Sequence, residues 1–302
     1  MKSTRQQTLA LRSSTLAAIR HFFEQLDFVE VETPVLLATP ALELHIDALP
    51  ASRGFLRTSP ELHMKRLLAE GLPRIYQIGP CFRADERGRM HSPEFTMLEW
   101  YRLDTDYLGI LDDMQRLIPH VCREVLGSTR IRYAGHDIET ATPWELWSVS
   151  AAFQRFAGWD PLAAYNADRF DLDTVGKIEP NLPSDRPAVL KDYPSEAAAL
   201  ARCTDGPPPR AERWELYIGG LELANAFTEL TDAAEQRKRF KECAEQRQRM
   251  GKPAYALDEE FLAALRCGLP PCSGVALGVD RLIMLLADAS DIGQVRAFCA
   301  EQ

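Results

Sequence analysis

No apolar run in the 302 residues approaches the roughly 18 to 20 needed to span a bilayer, and the polar opening MKSTRQQTLALRSS lacks the apolar stretch of a signal peptide. A cytoplasmic address with no membrane partner is therefore expected. Metal-type cysteine spacing is also missing. Cys81, Cys122, Cys203, Cys243, Cys267, Cys272 and Cys299 are odd in number and scattered, with no C-x-x-C pair and no Cys/His cluster. They read as reduced, mostly structural thiols, as in other cytosolic proteins. Nor is there a basic excess: the net charge of −9 and the pI near 5.3 exclude a protein whose main business is coating nucleic acid. The densest basic stretch, QRKRFKECAEQRQR, is interrupted by Glu242 and Glu245 and reads as a solvated helix face. Repeats and low-complexity tracts are absent. What is present, 46% hydrophobic and 26% charged residues, is ordinary globular material and excludes disorder.

Leu9, Leu16, Ile19, Phe23 and Leu26 recur at helical spacing, which predicts an amphipathic helix ending near Asp27. VEVETP follows as a short strand halted by Pro34. Ser59 as N-cap, Pro60 at the first helical position and Gly71 as the stop predict a helix over about 60–70, with a new strand at RIYQIG. EFTMLEWYR alternates, with Phe95, Met97, Glu99 and Tyr101 on one face and Thr96, Leu98 and Trp100 on the other. RWELYI and LELANAFTEL form a hairpin about Gly219-Gly220. Asp232 and Glu235 start a helix to about Met250, a second helix covers 259–267, and SGVALGVDRLIMLLAD is a strand that breaks into a helix near Asp280 and Arg281. Residues 157–212, dense in Pro, Asp and Gly, are expected to be loops and a small surface insertion. With several hairpins and few strand-helix-strand alternations, the fold class is α+β with an antiparallel sheet.

Three constellations carry chemistry. In CFRADERGRMHSPEFTMLEWY, one strand delivers Arg83, a polar loop holds Arg87, Arg89 and His91, and a second strand delivers Phe95, Glu99 and Tyr101. Cations for phosphate, a ring for a base and a deeper carboxylate are what a nucleotide site needs. Residue by residue, a charged hairpin tip with a core aromatic is the favoured reading; the combined pattern reverses that. The hairpin with Glu215, Glu222, Asn225 and Glu229 places acids inside strands, where an unpaired carboxylate costs several kcal/mol, so a shared cation is expected rather than a solvated edge. Strand parity puts Glu222 on the face opposite Asn225, Phe227 and Glu229; if all four line one site, a bulge is required near Ala224. In GVALGVDRL, Gly274 and Gly278 let a ligand approach the backbone and Arg281 stands at a helix start, though such turns are common.

In this order the three segments resemble the motifs of class II aminoacyl-tRNA synthetases, and of these the lysyl-tRNA synthetases most. FRADE…HSPEFTMLEWY looks like motif 2, GVALGVDRL like motif 3, and VEVETPVL like the motif 1 strand with its interface proline, Pro34. TSPELHMKRL and ELYIGGLELANAFTEL are similar to lysine-specific signatures, and the likeness runs from about residue 10 to 298. It implies a class II aminoacyl-tRNA synthetase catalytic domain, an antiparallel β-sheet flanked by helices, over 1–302. Because the segment resembling the catalytic helix stands at the start of the sequence, an N-terminal OB-fold anticodon-binding domain is expected to be lacking. The whole-length pattern looks like the freestanding lysyl-tRNA synthetase paralogues of the GenX/PoxA type, which attach (R)-β-lysine to a lysine of elongation factor P.

The resemblance implies roles. Arg83 would hold the α-phosphate and the substrate carboxylate, Arg281 the ATP phosphates, and Phe95 would stack on adenine. His91 and the loop arginines would lie near the outer phosphates, and Glu215 and Glu222 would bind Mg²⁺. Glu99, Tyr101 and Glu229 would surround the substrate's distal ammonium, with Ser59, Glu61, Asn225 and Phe227 along the rest of the pocket. ATP and Mg²⁺ are the implied cofactors, lysine or β-lysine and elongation factor P the partners, and a homodimer the implied assembly. Three departures stand out. Asp85 replaces the usual motif 2 glutamate, putting its nucleotide contact in question; Ala226 stands in place of a glycine and is expected to crowd the pocket floor; Ala276 matches the paralogues rather than the synthetases. Rival readings are a truncated lysyl-tRNA synthetase charging tRNA, against which the acidic pI weighs, an amide-forming relative of asparagine synthetase A, and an inactive amino-acid-sensing regulatory binder.

Overall fold

The computed structural model describes residues 4–298. Helix α1 (Arg5–Glu24) opens on a Thr4/Gln7 capping box and leads into strand β1 (Val29–Glu30). Three short strands, β2 (Leu36–Leu37), β3 (Pro50–Ala51) and β4 (Gly54–Leu56), make a side sheet before helix α2 (Glu61–Ala69). The long strands β5 (Arg74–Phe82) and β6 (Glu94–Leu103) precede helix α3 (Tyr107–Leu126) and a small hairpin of β7 (Arg130–Tyr133) and β8 (His136–Glu139). Then come β9 (Glu145–Ser148), α4 (Val149–Phe156), α5 (Ala167–Asp173), β10 (Ala188–Pro194), β11 (Arg210–Ile218) and β12 (Leu221–Thr228). The last elements are α6 (Ala233–Arg249), α7 (Glu259–Gly268), β13 (Cys272–Gly278) and α8 (Val279–Ala287).

Eight strands form the main sheet in the order β1-β5-β6-β13-β12-β11-β10-β9. Its six central strands are antiparallel, as expected, but both edges, β1 on β5 and β9 on β10, are parallel. One face carries the largest core, where Leu98, Trp100, Trp214, Leu216, Val275 and Leu277 meet α1, α3 and α8. The other face is shared by two smaller cores. One gathers α2, α6 and α7 around Met64, Leu68, Phe240 and Phe261; the other gathers α4 and α5 around Phe153, Phe170 and Tyr193. Phe227 packs against both, so the bare strip of sheet beside it is the floor of a cleft.

Two local readings are corrected by packing. The buried stripe of α1 runs through Thr15, Ala18, Ile19, Phe22 and Phe23, and Leu9 is left at the surface. Residues 157–212 are more than a surface insertion: they contain β10, an interior strand of the main sheet whose Ala188, Val189 and Leu190 are fully buried. The irregular helical turns between Thr174 and Asn181 hide this, because the apolar stretch that follows them is only a few residues long. Elsewhere the expected boundaries are met closely. Gly219 and Gly220, with φ of 58° and 79°, make the two-residue turn, and Asp232 caps α6 through the amides of Ala234 and Glu235. The six described cysteines are free thiols; Cys299 lies outside the described residues.

Strand β12 carries the bulge that parity demanded. Leu216 pairs with Ala224 and Tyr217 with Glu222, so Leu223 is the extra residue and Leu223 and Ala224 are both buried. Glu222 is thereby rotated onto the face of Asn225 and Phe227.

A Cβ on Gly274 would overlap the Tyr101 ring and come within 2.6 Å of Glu229 Oε1, whereas one on Gly278 would meet nothing nearer than the Arg281 side chain at 3.8 Å. Gly274 therefore makes room for Tyr101 and Glu229 rather than for a ligand. Gly274→Ala is expected to lower unfolding free energy by about 1–3 kcal/mol in urea titrations, and Gly278→Ala by less than about 1 kcal/mol.

Candidate active site

Register alone builds the cleft floor. Across β6, β13, β12 and β11, Glu99 lies opposite Ala276, Ala276 opposite Asn225 and Asn225 opposite Glu215. The next row runs Tyr101, Gly274, Phe227, Arg213. Residues paired across strands share a face, and three strand spacings put Glu99 and Glu215 about 14 Å apart. Ala226 belongs to the other face: it is paired with Trp214 and Val275 and buried in the large core, so it does not crowd the pocket floor. Ala276 does face the cleft, and its methyl group is the only side chain between Glu99 and Asn225.

At one end the site is cationic. Arg83 follows β5, sits 5.2 Å over the Phe95 ring and reaches Glu86 at 3.4 Å, while its buried Nε has no hydrogen-bond partner. Arg281 opens α8, whose start is anchored by Asp280 through Arg12 (2.5 Å) and the Thr96 amide (2.7 Å). Its guanidinium donates to the Glu222 carbonyl (2.6 Å) and the Met90 carbonyl (3.3 Å), and to His91 Nε2 (2.7 Å). Burial and then the Arg281 charge hold the His91 pKa below its ordinary value, which suits a neutral ring accepting that bond. Arg89 turns away, donating to the Ser290 carbonyl. Asp85 is exposed with φ of 62°, a turn position that aspartate tolerates, and the acid that meets Arg83 is its neighbour Glu86.

Two acids stand across from these arginines. Glu215 already accepts from Arg213 (2.5 Å), Tyr193 (2.6 Å) and Tyr217 (2.7 Å). Glu222 is freer: its carboxylate lies 3.7 Å from Arg281 and its side chain is 46% exposed. Confinement by protein and then the charge of Glu215 push its pKa up to about 7. A carboxylate raised by a neighbouring carboxylate marks a place short of positive charge. Among the described residues no three His, Cys, Asp or Glu side chains form a ready metal cage. Mg²⁺ needs none, since one or two carboxylates plus substrate phosphates commonly suffice. Glu222, supported by Glu215, therefore fits that ion.

The far end is anionic and buried. Glu99 accepts from Ser59 (2.6 Å) and Tyr101 (2.7 Å), and the Ser59 oxygen also receives the Glu61 amide, so Ser59 works as a link although the helix cap falls on Pro60. Lys65 reaches Glu61 at 2.5 Å and is ion-paired with Glu229, both Lys65 and Glu229 being closed to solvent. Glu229 is thus not a bare carboxylate awaiting a ligand. Residues that sequence patterning passed over are Lys65, Glu86, Tyr193, Arg213 and Arg57. Lys65 was visible in TSPELHMKRL, four positions after Glu61 on a helix, a spacing that brings the pair together.

The chain belongs to the family described as tRNA synthetases class II (D, K and N), whose model matches residues 1–302. Among curated proteins it is 40% identical to the elongation factor P–(R)-β-lysine ligase of Avibacterium paragallinarum, covering 98% of this chain and 96% of that protein. It is 39% identical to the proteins of the same name from Haemophilus ducreyi (98% and 94% covered) and Proteus mirabilis (96% and 94%).

Burial, with the charge of Glu61 next, raises the Glu99 pKa from 4.5 to about 7. A folded-state value above the unfolded one means that the folded chain holds this proton more tightly. Stability from Glu99 is then full below pH 4.5, falls as pH rises to about 7 and is flat above, a loss of about 3 kcal/mol. Glu99→Gln is expected to gain stability over the unaltered protein by that order between pH 5 and pH 8, read from urea unfolding at both values.

Proposed function

We propose that this chain is an ATP-dependent, AMP-forming ligase. It activates lysine or (R)-β-lysine as an aminoacyl-adenylate and passes the acyl group to a lysine side chain of elongation factor P. The observation that carries this reading is one sheet face with Arg281 and His91 toward one end and Glu61 and Glu99 toward the other, in a chain similar over nearly its whole length to ligases bearing that name.

In the first step a substrate carboxylate oxygen attacks the α-phosphorus of ATP, the P–O bond to the leaving group breaks, and pyrophosphate departs. Arg83, with its unpartnered Nε, and Arg281 meet the charge that accumulates on the phosphate oxygens. Mg²⁺, held by Glu222 and Glu215, would neutralise phosphate charge. Phe95 would stack on the adenine, and His91 would lie by the outer phosphates. Glu61, Glu99 and Tyr101 would receive the distal ammonium, with Glu229 behind them held on Lys65, Asn225 and Phe227 would line the chain between, and the cross-strand row would set the distance from ammonium to phosphates. In the second step the neutral acceptor amine attacks the acyl carbon, AMP leaves, and one proton is released. Acidic overall charge disfavours stable tRNA binding.

The wider setting follows the same reading. Edge strand β1 and the segment after it expose Val29 (49%), Pro34 and Leu36 (50%), a surface that suits a two-fold dimer partner. A cytoplasmic location fits a translation-factor substrate, and among the described residues no helix is long and apolar enough to cross a membrane.

Arg281→Ala is expected to slow ATP–pyrophosphate exchange at least about a hundredfold, the scale of one lost donor to a developing oxyanion. Purified elongation factor P incubated with the protein, ATP and each lysine isomer should gain one lysyl mass on a single lysine in mass spectrometry. An unmodified factor with both isomers, or charged tRNA instead, would overturn the assignment.

A further inference from the structure

Arg213 lies on the cleft face of β11, and every nitrogen of its guanidinium is engaged. Nη1 donates to the Ala197 carbonyl (2.8 Å), Nη2 to Glu215 Oε1 (2.5 Å) and Nε to Asn225 Oδ1 (3.0 Å), and the group stands 4.6 Å from the Tyr193 ring centre. A second irregularity of the sheet delivers that ring. Strand β10 shifts register between Lys191 and Tyr193, with Asp192 at a φ of 62°, so Tyr193, paired with Ala211, shares the face of Arg213 and Glu215. Its hydroxyl then joins that of Tyr217 on Glu215 Oε2. A carboxylate, a backbone carbonyl and an aromatic ring thus hold the guanidinium in place.

The third contact decides the state of Asn225. An arginine has donors and no acceptor, so the amide atom turned toward Nε is the oxygen, and the NH₂ group is left facing away from Arg213. Among the described residues no acceptor takes Asn225 Nδ2, and that atom is not sealed from solvent. On the side away from β11, the neighbour across the strand is Ala276, which offers only a methyl group. The cleft floor therefore carries one unclaimed donor. It lies opposite Glu215, about 5 Å away by strand spacing, and about 10 Å from Glu99 on the far side of β13. A fixed NH₂ group repels an ammonium and suits an oxygen acceptor. In the substrate proposed above, the group of that kind is the carboxylate, which must lie toward the phosphates to attack.

We infer that Arg213 is a positioning residue, which locks the Asn225 amide as a hydrogen-bond donor toward the carboxylate of the amino-acid substrate. This deepens the substrate reading above and rests on it. An unpinned amide would also present its oxygen to the cleft and repel the same carboxylate. Pinned, it offers the substrate one polarity, and Arg213 acts on the substrate only through Asn225.

The test is lysine affinity by isothermal titration calorimetry without ATP or Mg²⁺, so that any metal at Glu215 plays no part, using the lysine isomer that the unaltered protein binds more tightly. Arg213→Lys keeps the charge beside Glu215 but loses the fork that also reaches Asn225. It is expected to weaken lysine at least about fivefold on its own, and by less than about twofold when added to Asn225→Ala. A smaller loss on its own, or one that persists in the N225A background, would overturn the positioning role. Asn225→Asp keeps an oxygen for Arg213 and exchanges the NH₂ group for a second oxygen, so it should bind lysine more weakly than N225A does. Equal or tighter binding by N225D would mean that an ammonium meets this position, and would overturn the inference as well. That comparison leaves Arg213 in place and serves should R213K fail to fold. If the unaltered protein binds neither isomer, the substrate reading itself falls and takes the inference with it.

Discussion

A β-sheet face that buries carboxylates must find positive charge for each of them, because an isolated ion in that environment costs several kcal/mol. Much of this molecule is arranged around that requirement. Glu215 is met by Arg213 and two tyrosine hydroxyls, Glu229 and Glu61 by Lys65, Glu99 by hydroxyls and the more distant Arg57. Glu222 is the least satisfied, with its nearest cation 3.7 Å away. Charges left short are the ones a ligand can supply. They lie toward opposite ends of the row from Glu99 to Glu215.

The scaffold keeps those ends at a fixed separation. Antiparallel pairing through β6, β13, β12 and β11 makes Glu99, Ala276, Asn225 and Glu215 one cross-strand row, so their spacing is set by main-chain hydrogen bonds rather than by side-chain packing. Behind the floor, a large core of Trp100, Trp214 and their neighbours packs against the sheet. Arg281 ties the rim together, since one guanidinium holds β12 through Glu222 and the loop after β5 through Met90 and His91. A disturbance of α8 would therefore reach Glu222 and the Met90–His91 segment together.

Local pattern was enough for the α+β class, the strand and helix order over most of the chain, and the segments that line the cleft. Alternation in EFTMLEWYR assigned Glu99 and Tyr101 to one face, and the conflict of parity around Ala224 required a bulge that pairing then placed at Leu223. These inferences work because side-chain period and turn chemistry are properties of neighbouring residues. The resemblance of whole motifs extended them to ATP and a lysine-like substrate, and the family match bears out the class.

What tertiary structure decided is of another kind. That β10 is an interior strand, that Ala226 faces the core, that Gly274 yields space to Tyr101, and that Lys65 sits on Glu229 all depend on residues far apart in the chain. Sequence spacing says which face a side chain takes relative to its neighbours, and by itself it determined the elements and the chemical types available. Which cation lies against which carboxylate is settled only when α2 docks on the sheet, because charge balance in a buried pocket is a sum over elements that the linear order does not bring together.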